Sequence, residues 1–199
     1  MAASRVEKMG NRQGLAGLID HLRYHELSRQ GLGLLLLLVC AWFAAPLGEA
    51  RIMAGFVIAA LGQLWRIYAA GVLQKNRRLA TTGAYSLVRH PLYLGNFLIL
   101  GGFTLASGSL LVLVVVVFFL LFYYPAAIRY EDHKLEGIFG DDWRAWSGTI
   151  PAMFPTRLKW QSNTEAQWSA RQSLLRNGEL VCTLFEIGAG IFLWYRAGA

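Results

Sequence analysis

Five apolar runs constrain the fold of this chain more than any other feature of its sequence. A helix needs about 20 apolar residues to cross the hydrocarbon core of a bilayer, and each run approaches or reaches that length. The runs cover residues 31–48, 52–73, 92–106, 110–128 and, more weakly, 180–195. They lack the alternating polarity of barrel strands, and backbone groups in lipid must be satisfied internally, so the runs favour helices. We therefore expect an all-α integral membrane bundle of about five transmembrane helices.

The composition agrees with one membrane domain. Of the 199 residues, 55% are hydrophobic and 16% are charged, which is too apolar for an ordinary soluble domain of this size. We expect a single domain over residues 1–199: a polar N-terminal or interfacial segment at 1–30, four transmembrane helices at 31–128, a polar segment at 129–178 and a fifth helix at 179–196. Cys40 and Cys182 both lie in apolar runs without metal-ligand spacing and are predicted to be buried.

The net charge of +7 is sorted along the chain. Lysines and arginines cluster before the first run, between the second and third, and between the fourth and fifth, whereas the other two loops hold only Arg51. Because such residues are enriched in cytoplasmic loops, the N-terminus and the segments 74–90 and 129–178 are predicted to face the cytosol. Topology accounts for the charge and no groove-reading motif accompanies it, so we expect membrane lipids and no nucleic acid as partners.

The segment Arg89-His90-Pro91 stands directly before the third run. Proline suits the first turn of a helix, where its missing N–H costs nothing, so Pro91 predicts a helix start. The free N–H groups of that turn would offer a seat for an anion. Tyr93 shares a helical face with His90, and Gly95 would let a ligand or another helix approach the backbone closely. A structural alternative is an anchor at the membrane interface, where Tyr and His are common.

A second polar motif follows the fourth run. Its acidic pair, Glu131 and Asp132, stands a few residues after Tyr124 and Pro125. The tight turn at 107–109 makes the third and fourth helices antiparallel neighbours, so the start of one and the end of the other must lie close together. The two motifs are therefore predicted to share one site.

Together the two motifs resemble the isoprenylcysteine carboxyl methyltransferase and phospholipid methyltransferase superfamily of integral membrane enzymes. The resemblance rests on Arg-His-Pro-x-Tyr-x-Gly at 89–95, followed by an acidic pair, Phe-Gly, two spaced aromatics and a proline-containing tail. In this chain the second part comprises Glu131-Asp132, Leu135, Phe139-Gly140, Trp143, Trp146 and Ile150-Pro151 to Pro155. The resemblance implies a methyltransferase that binds S-adenosylmethionine in a pocket at the cytosolic face of the membrane.

The resemblance also implies which residues hold this cofactor. In the family, the pocket residues match the following positions: Gln74, Leu79, Ala80, Tyr85, His90, Pro91, Leu92, Tyr93, Gly95 and Glu131. By extension, we expect His90 to bind the carboxylate of the cofactor and Glu131 its ammonium group. Tyr85 and Tyr93 are expected to lie against its adenosine.

Two arginines are candidates for contact with the methyl acceptor. The family places an arginine about one helical turn before the acidic pair; here Ala127 occupies that position and Arg129 is the nearest candidate. We therefore group Arg129 with Glu131 as candidate catalytic residues. Arg66 lies in the second apolar run, where an unpaired cation is costly. We predict that Arg66 lies near the acceptor or pairs with Glu131 or Asp132, the alternative being a side chain that reaches the interface.

Positioning dominates the chemistry that the resemblance implies, because methyl transfer needs nucleophile and methyl group held about 3–3.5 Å apart. A carboxylate acceptor needs no base, whereas an amine must first lose a proton, which Glu131, Asp132 or His133 could accept. The expected partner is lipidic or lipid-attached, such as a prenylated cysteine carboxylate or a phospholipid amine. The sequence leaves the acceptor and the oligomeric state open.

Two other protein classes fit parts of the pattern. Membrane sterol and steroid reductases that use NADPH carry Arg-His-Pro-Asn-Tyr-x-Gly-Glu, but this chain has Leu92 before the tyrosine and Asn96 after the glycine. A non-enzymatic membrane scaffold is the third class.

Two further pairs in the sequence have mainly structural interpretations. Glu179 and Glu186 share one face of the fifth run, and we expect a helix packed on the bundle with Glu186 hydrogen-bonded. Trp143 and Trp146 are typical of an interfacial anchor, with a place above the pocket as the alternative.

Overall fold

A computed structural model describes residues 26–46, 48–156, 160–161 and 167–198, and this part of the chain is helical. The α-helices are α1 Glu26–Trp42, α2 Glu49–Val72, α3 Pro91–Ser107, α4 Leu110–Phe122, α5 Tyr124–Phe139, α6 Asp141–Ser147 and α7 Glu179–Arg196. A 3₁₀ turn at Gly83–Ser86 precedes α3, and a π-helical turn at Gln172–Arg176 precedes α7. The all-α prediction is therefore confirmed for the described residues. The predicted interfacial segment lies outside them up to residue 25, and residues 26–30 belong to α1.

Two helices are long and apolar enough to cross a membrane, judged by length and composition within the described residues. One is Glu49–Val72; the other is Leu110–Phe139, in which α4 runs into α5 because Tyr123 keeps helical backbone angles. Gly31–Trp42 and Pro91–Ser107 are shorter apolar helices. The number of five transmembrane helices stays a prediction.

The predicted helix starts and turns are close to those observed. α3 begins at Pro91, as the Arg-His-Pro segment indicated. Gly108 takes a left-handed conformation with φ of 60° between α3 and α4, and the Ser109 side chain caps α4 by accepting from the N–H of Val112. α1 ends at Trp42, short of the predicted boundary at 48, and non-helical residues lead to Pro46, which cannot continue a helix.

Small residues bring α2 and α3 into backbone contact. A Cβ atom added to Gly55 would lie 2.5 Å from the carbonyl oxygen of Gly102, and one added to Gly62 would lie 2.8 Å from that of Gly95. Close approach of this kind needs residues without side chains along both helices. Gly95 therefore serves the contact with another helix, one of the two uses that its position predicted.

The segment before α7 holds that helix against the end of α2. The Asn177 side chain donates from Nδ2 to the carbonyl oxygens of Ala70 at 2.7 Å and Leu73 at 3.0 Å. Ser173 Oγ donates to the carbonyl of Ile67 at 2.7 Å. These bonds tie the segment before α7 to the last turns of α2 and so fix where α7 begins.

The main apolar core lies between α1, α2, α3, α4 and α7. It includes Leu37, Ile52, Phe103 and Leu193, all buried. Cys40 belongs to the same core, and Cys182 is also buried, so the prediction that both cysteines are buried is confirmed.

Candidate functional site

A cavity of about 200 Å³ opens where α2 ends and α3 begins, and we call this end of the bundle the motif end. Most residues that the sequence assigned to a site line this one cavity. They are Arg66, Leu79, Ala80, Tyr85, His90, Pro91, Leu92, Tyr93 and Glu131. The two motifs thus meet around a common space, although they are about forty residues apart in the sequence.

Asp132 joins the two motifs directly. Its Oδ2 accepts from Nη2 of Arg89 at 2.8 Å, and its Oδ1 lies 2.7 Å from Nε2 of His90. The His90 side chain is only 4% exposed, and the bond from its Nε2 to Asp132 fixes the orientation of the buried ring. The rings of His90 and Tyr93 are nearly perpendicular, with centroids 5.7 Å apart. Because one carboxylate holds both side chains, the start of α3 is tied to the polar half of α5.

The proline-containing tail explains why the Arg-His-Pro segment keeps its shape. The backbone N–H groups of Arg89 and His90 donate to the carbonyls of Pro151 at 2.8 Å and Ala152 at 2.9 Å. Nη1 of Arg89 donates to the carbonyls of Ser147 and Ile150 at 3.0 and 2.9 Å. Arg89 is therefore used to hold the tail and Asp132 together.

The predicted anion seat at the start of α3 is largely closed by internal bonds. The N–H groups of Tyr93 and Leu94 both donate to the carbonyl of His90, at 3.0 and 3.2 Å, while those of Arg89 and His90 bond to the tail. Pro91 has no N–H to offer. For these four N–H groups the expected anion seat is wrong, because bonds to the tail or to the carbonyl of His90 already satisfy them; the N–H of Leu92 takes part in no such bond within the described residues.

Arg66 forms a buried cluster with residues from three helices. Its Nη2 lies 2.7 Å from Oε1 of Glu179, its Nε donates to Oε2 of Glu179 at 3.0 Å, and its Nη1 donates to Oδ1 of Asn96. Gln63 Nε2 adds bonds to Oε2 of Glu179 at 3.3 Å and to Oγ1 of Thr183 at 2.7 Å. Arg66 and Glu179 are 7% and 1% exposed. This is a bidentate ion pair inside the bundle.

The predicted partners of Arg66 were wrong. Glu131 and Asp132 were expected, but Asp132 is held by Arg89 and His90, and the first residue of α7 supplies the countercharge instead. Asn177 places Glu179 there by fastening the preceding loop to α2. The sequence signal was an acidic residue at the edge of an apolar run, since such a charge needs a partner.

Three predicted site residues lie away from the cavity. Arg129 is exposed on α5, and Gln74 is exposed beyond α2, where its carbonyl accepts from the N–H groups of Arg77 and Arg78. Gly95 is buried against the side chain of Arg66 and the backbone of Gly62. Neither these three nor the exposed His133 is among the described residues that line the cavity.

Other cavity residues were not assigned to the site from the sequence. Asn96, Cys182, Glu179 and Glu186 also line it, and we call the part of the cavity beside the Arg66–Glu179 pair the inner cavity. Glu186 makes no hydrogen bond within the described part of the chain, so the prediction of a hydrogen-bonded Glu186 was wrong. The available sequence signal for these residues was the spacing of Glu179 and Glu186, which places both on one face of α7.

Trp143 and Trp146 both line the cavity, as their alternative interpretation anticipated. Trp146 packs in a cluster with Tyr85, Ala80 and Leu92. Its indole Nε1 is buried and has no hydrogen-bond partner among the described residues. An unpaired buried donor is costly, so a donor of this kind beside a cavity fits an acceptor atom on a bound molecule.

Within the described ranges, no three His, Cys, Asp or Glu side chains are grouped as a metal site would require. No solved structure matches the chain.

Two curated relatives are each 36% identical to this chain. They are the nickel-cobalt-cadmium resistance protein NccN of Alcaligenes xylosoxydans xylosoxydans, over 115 residues, and the cobalt-zinc-cadmium resistance protein CzcN of Cupriavidus metallidurans, over 122 residues. The alignments cover 57% and 61% of this chain but 52% and 54% of the relatives. The chain therefore spans about half the length of the curated relatives that it matches.

The family model for phospholipid methyltransferases matches residues 29–142, which is more than half of the chain. The matched segment contains the Arg-His-Pro motif, the acidic pair and most of the residues that surround the cavity. The chain belongs to the phospholipid methyltransferase family.

Proposed function

We propose that this chain is an integral membrane methyltransferase that uses S-adenosylmethionine and acts on a lipidic or lipid-attached acceptor. The observation that carries the proposal is that His90 and Glu131, from separate motifs, line one cavity beside Tyr85 and Tyr93. Family membership supports the same class of reaction. By the distribution of lysine and arginine, we place the motif end on the cytoplasmic side of the membrane.

The residues at the mouth of the cavity fit an adenosine-containing cation. Glu131 offers a carboxylate to an ammonium group, and Lys134, at 3.5 Å from it, shares that carboxylate. Tyr85, Leu92 and Trp146 form an aromatic and apolar surface for the base, with the unpartnered indole N–H as a donor to it. When bound, S-adenosylmethionine supplies an activated methyl group.

The chain itself contributes binding and orientation. Nε2 of His90 is bonded to Asp132. We therefore propose that His90 forms a rigid part of the cavity lining and, contrary to what the resemblance implied, does not bind the carboxylate of the cofactor. Tyr93 packs between His90 and Tyr124 in T-shaped contacts, with ring centroids 5.7 and 5.3 Å apart. These contacts keep the three rings in fixed positions. Rigid placement of this kind is what an in-line displacement requires. Arg129 has no part in the proposal, because its side chain is exposed and does not line the cavity.

Ligand binding separates the three classes of function. We expect S-adenosylhomocysteine to bind the detergent-purified protein in a calorimetric titration and NADPH to give no heat of binding. Glu131→Gln should weaken S-adenosylhomocysteine binding about tenfold or more, the size of a lost charge-assisted hydrogen bond. Glu136→Gln is the matched control, since Glu136 pairs with exposed Arg144 on the surface of the same helix. Binding of NADPH alone would favour the reductase, and binding of neither would favour the scaffold.

The indole N–H of Trp146 gives a second test of the same pocket. Trp146→Phe removes the donor and keeps most of the ring, so we expect S-adenosylhomocysteine binding to weaken about fivefold, the value of one neutral hydrogen bond. Trp42→Phe is the control, because Trp42 lies beside Arg196 and Phe192 at the other end of the bundle. Equal affinity in both variants would contradict a contact between Trp146 and the nucleoside.

A further inference from the structure

Three residues of the inner cavity lie outside the segment that the family model covers. Glu179, Cys182 and Glu186 come from α7, which begins well after residue 142, where the family match ends. They line the cavity together with Arg66 and Asn96. The inner cavity therefore depends in part on a helix outside the shared family segment.

Arg66 is not free to bind an anionic acceptor. Nε and Nη2 are bonded to the two carboxylate oxygens of Glu179, and Nη1 is bonded to Asn96. The charges of Arg66 and Glu179 offset each other in a bidentate pair. The other described cations that line the cavity, Lys75, Arg78, Arg89 and Lys134, come from the motif end.

Glu186 is the remaining charged group of the inner cavity. It lies seven residues after Glu179 on the same face of α7, which is about 10 Å along a helix. Side chains on a helix lean toward its N-terminus, so the carboxylate of Glu186 is directed back toward Arg66 and the cavity. Its side chain is half-buried and makes no hydrogen bond within the described residues. A carboxylate in such surroundings is costly without a cationic partner.

An apolar surface lies beside this carboxylate. Leu34, Leu37, Ile99, Leu100 and Phe119 line the same cavity and come from α1, α3 and α4. The inner cavity thus combines a wall of apolar side chains with one carboxylate that is not part of an ion pair among the described residues. That pairing is complementary to an amphipathic cation.

We propose that Glu186 binds the acceptor and selects an amine that carries an apolar chain; this rests on the proposed methyltransferase function. The carboxylate of Glu186 receives the ammonium group and accepts one of its protons, which leaves a neutral amine. The nitrogen lone pair then forms the new N–C bond as the C–S bond of the sulfonium breaks. The products are an N-methylammonium and a neutral thioether, and the proton leaves Glu186 to solvent.

Three probes with the same tail test this choice. Dodecylamine, dodecanoate and dodecanethiol are presented in phosphatidylcholine vesicles that contain the protein, and transfer of labelled methyl groups is measured. We expect methylation of dodecylamine alone. In Glu186→Gln, kcat/KM for dodecylamine should fall about tenfold or more, as should dodecylamine binding in the presence of S-adenosylhomocysteine. Glu186→Asp keeps the charge and should recover part of the loss, while Glu136→Gln should match the unchanged protein.

Each alternative has its own result. Preference for dodecanoate or dodecanethiol, or an unchanged Glu186→Gln with a matching melting temperature, would overturn the proposal. Weaker binding of S-adenosylmethionine with intact binding of S-adenosylhomocysteine would also overturn it, because Glu186 would then serve the sulfonium. A protein that binds S-adenosylhomocysteine but refuses dodecylamine would refute this inference alone, whereas failure to bind S-adenosylhomocysteine would refute the proposed function itself.

Discussion

Replacing Glu179 with alanine should lower the free energy of unfolding by about 3–5 kcal/mol, because it leaves the buried cation of Arg66 uncompensated. Both oxygens of Glu179 are bonded to Arg66, and both side chains are almost fully buried. Without Glu179, the remaining hydrogen-bond partners of Arg66 in the described part of the chain are the neutral side chains of Asn96 and Cys182. The measurement is reversible unfolding in mixed micelles, followed by helical circular dichroism.

A double variant distinguishes a lost charge from lost packing. Arg66→Met combined with Glu179→Leu removes both charges, and we expect it to recover most of the stability, since apolar replacement of a buried pair is often neutral. Glu136→Ala, which breaks a surface pair with Arg144, should leave stability unchanged. If Glu179→Ala and the double variant were equally unstable, the pair would matter through packing and not through charge.

Replacing Asp132 with alanine should reduce methyl transfer about 10²-fold, the cost of a misplacement of about 1 Å at a reacting site. Asp132 holds Arg89 and His90 at 2.8 and 2.7 Å, and Arg89 in turn holds the tail at Ser147 and Ile150. Loss of the Asp132 carboxylate therefore loosens the Arg-His-Pro segment and the tail that Arg89 holds. The measurement is kcat and KM for S-adenosylmethionine in vesicles, with kcat expected to fall more than KM rises.

Asp132→Asn provides the comparison for that experiment. It keeps the shape and one acceptor oxygen, so we expect a smaller loss than in Asp132→Ala. Under the proposed function Asp132 acts through His90, which it contacts, so the binding of S-adenosylhomocysteine should weaken less than turnover does. Full activity of Asp132→Ala would show that the two motifs hold their places without this link.

Local signals predicted the helices well, because each rests on nearby residues. Pro91 marks a helix start by its fixed φ and missing N–H, and Gly108 permits the left-handed turn that closes the hairpin. The meeting of the two motifs followed from that hairpin. These features are encoded within a few residues of where they act, so the sequence was enough to predict them.

Long-range choices were harder to predict. Arg66 needed a countercharge, but several carboxylates were available, and its pairing with Glu179 depends on how Asn177 fastens the loop to α2. Gln74 and Gly95 were assigned by resemblance, and the folded chain uses Gly95 for helix packing and exposes Gln74. The tail accepts hydrogen bonds from the backbone N–H groups of Arg89 and His90, which the sequence of the helix start alone did not predict. Each difference arises from a partner about thirty or more residues away or from a loop without periodicity.

The glycine contacts between α2 and α3 limit how a lipid could reach the cavity. Gly55 and Gly62 lie against the backbone of Gly102 and Gly95, so these two helices cannot slide or rotate past each other without backbone collision. The two helices therefore form one rigid unit, which holds Arg66 of α2 and Asn96 of α3 at fixed positions along the bundle. Under the proposed function, a lipid acceptor that enters from the bilayer is therefore expected to pass where α1, α4 or α7 borders this pair of helices.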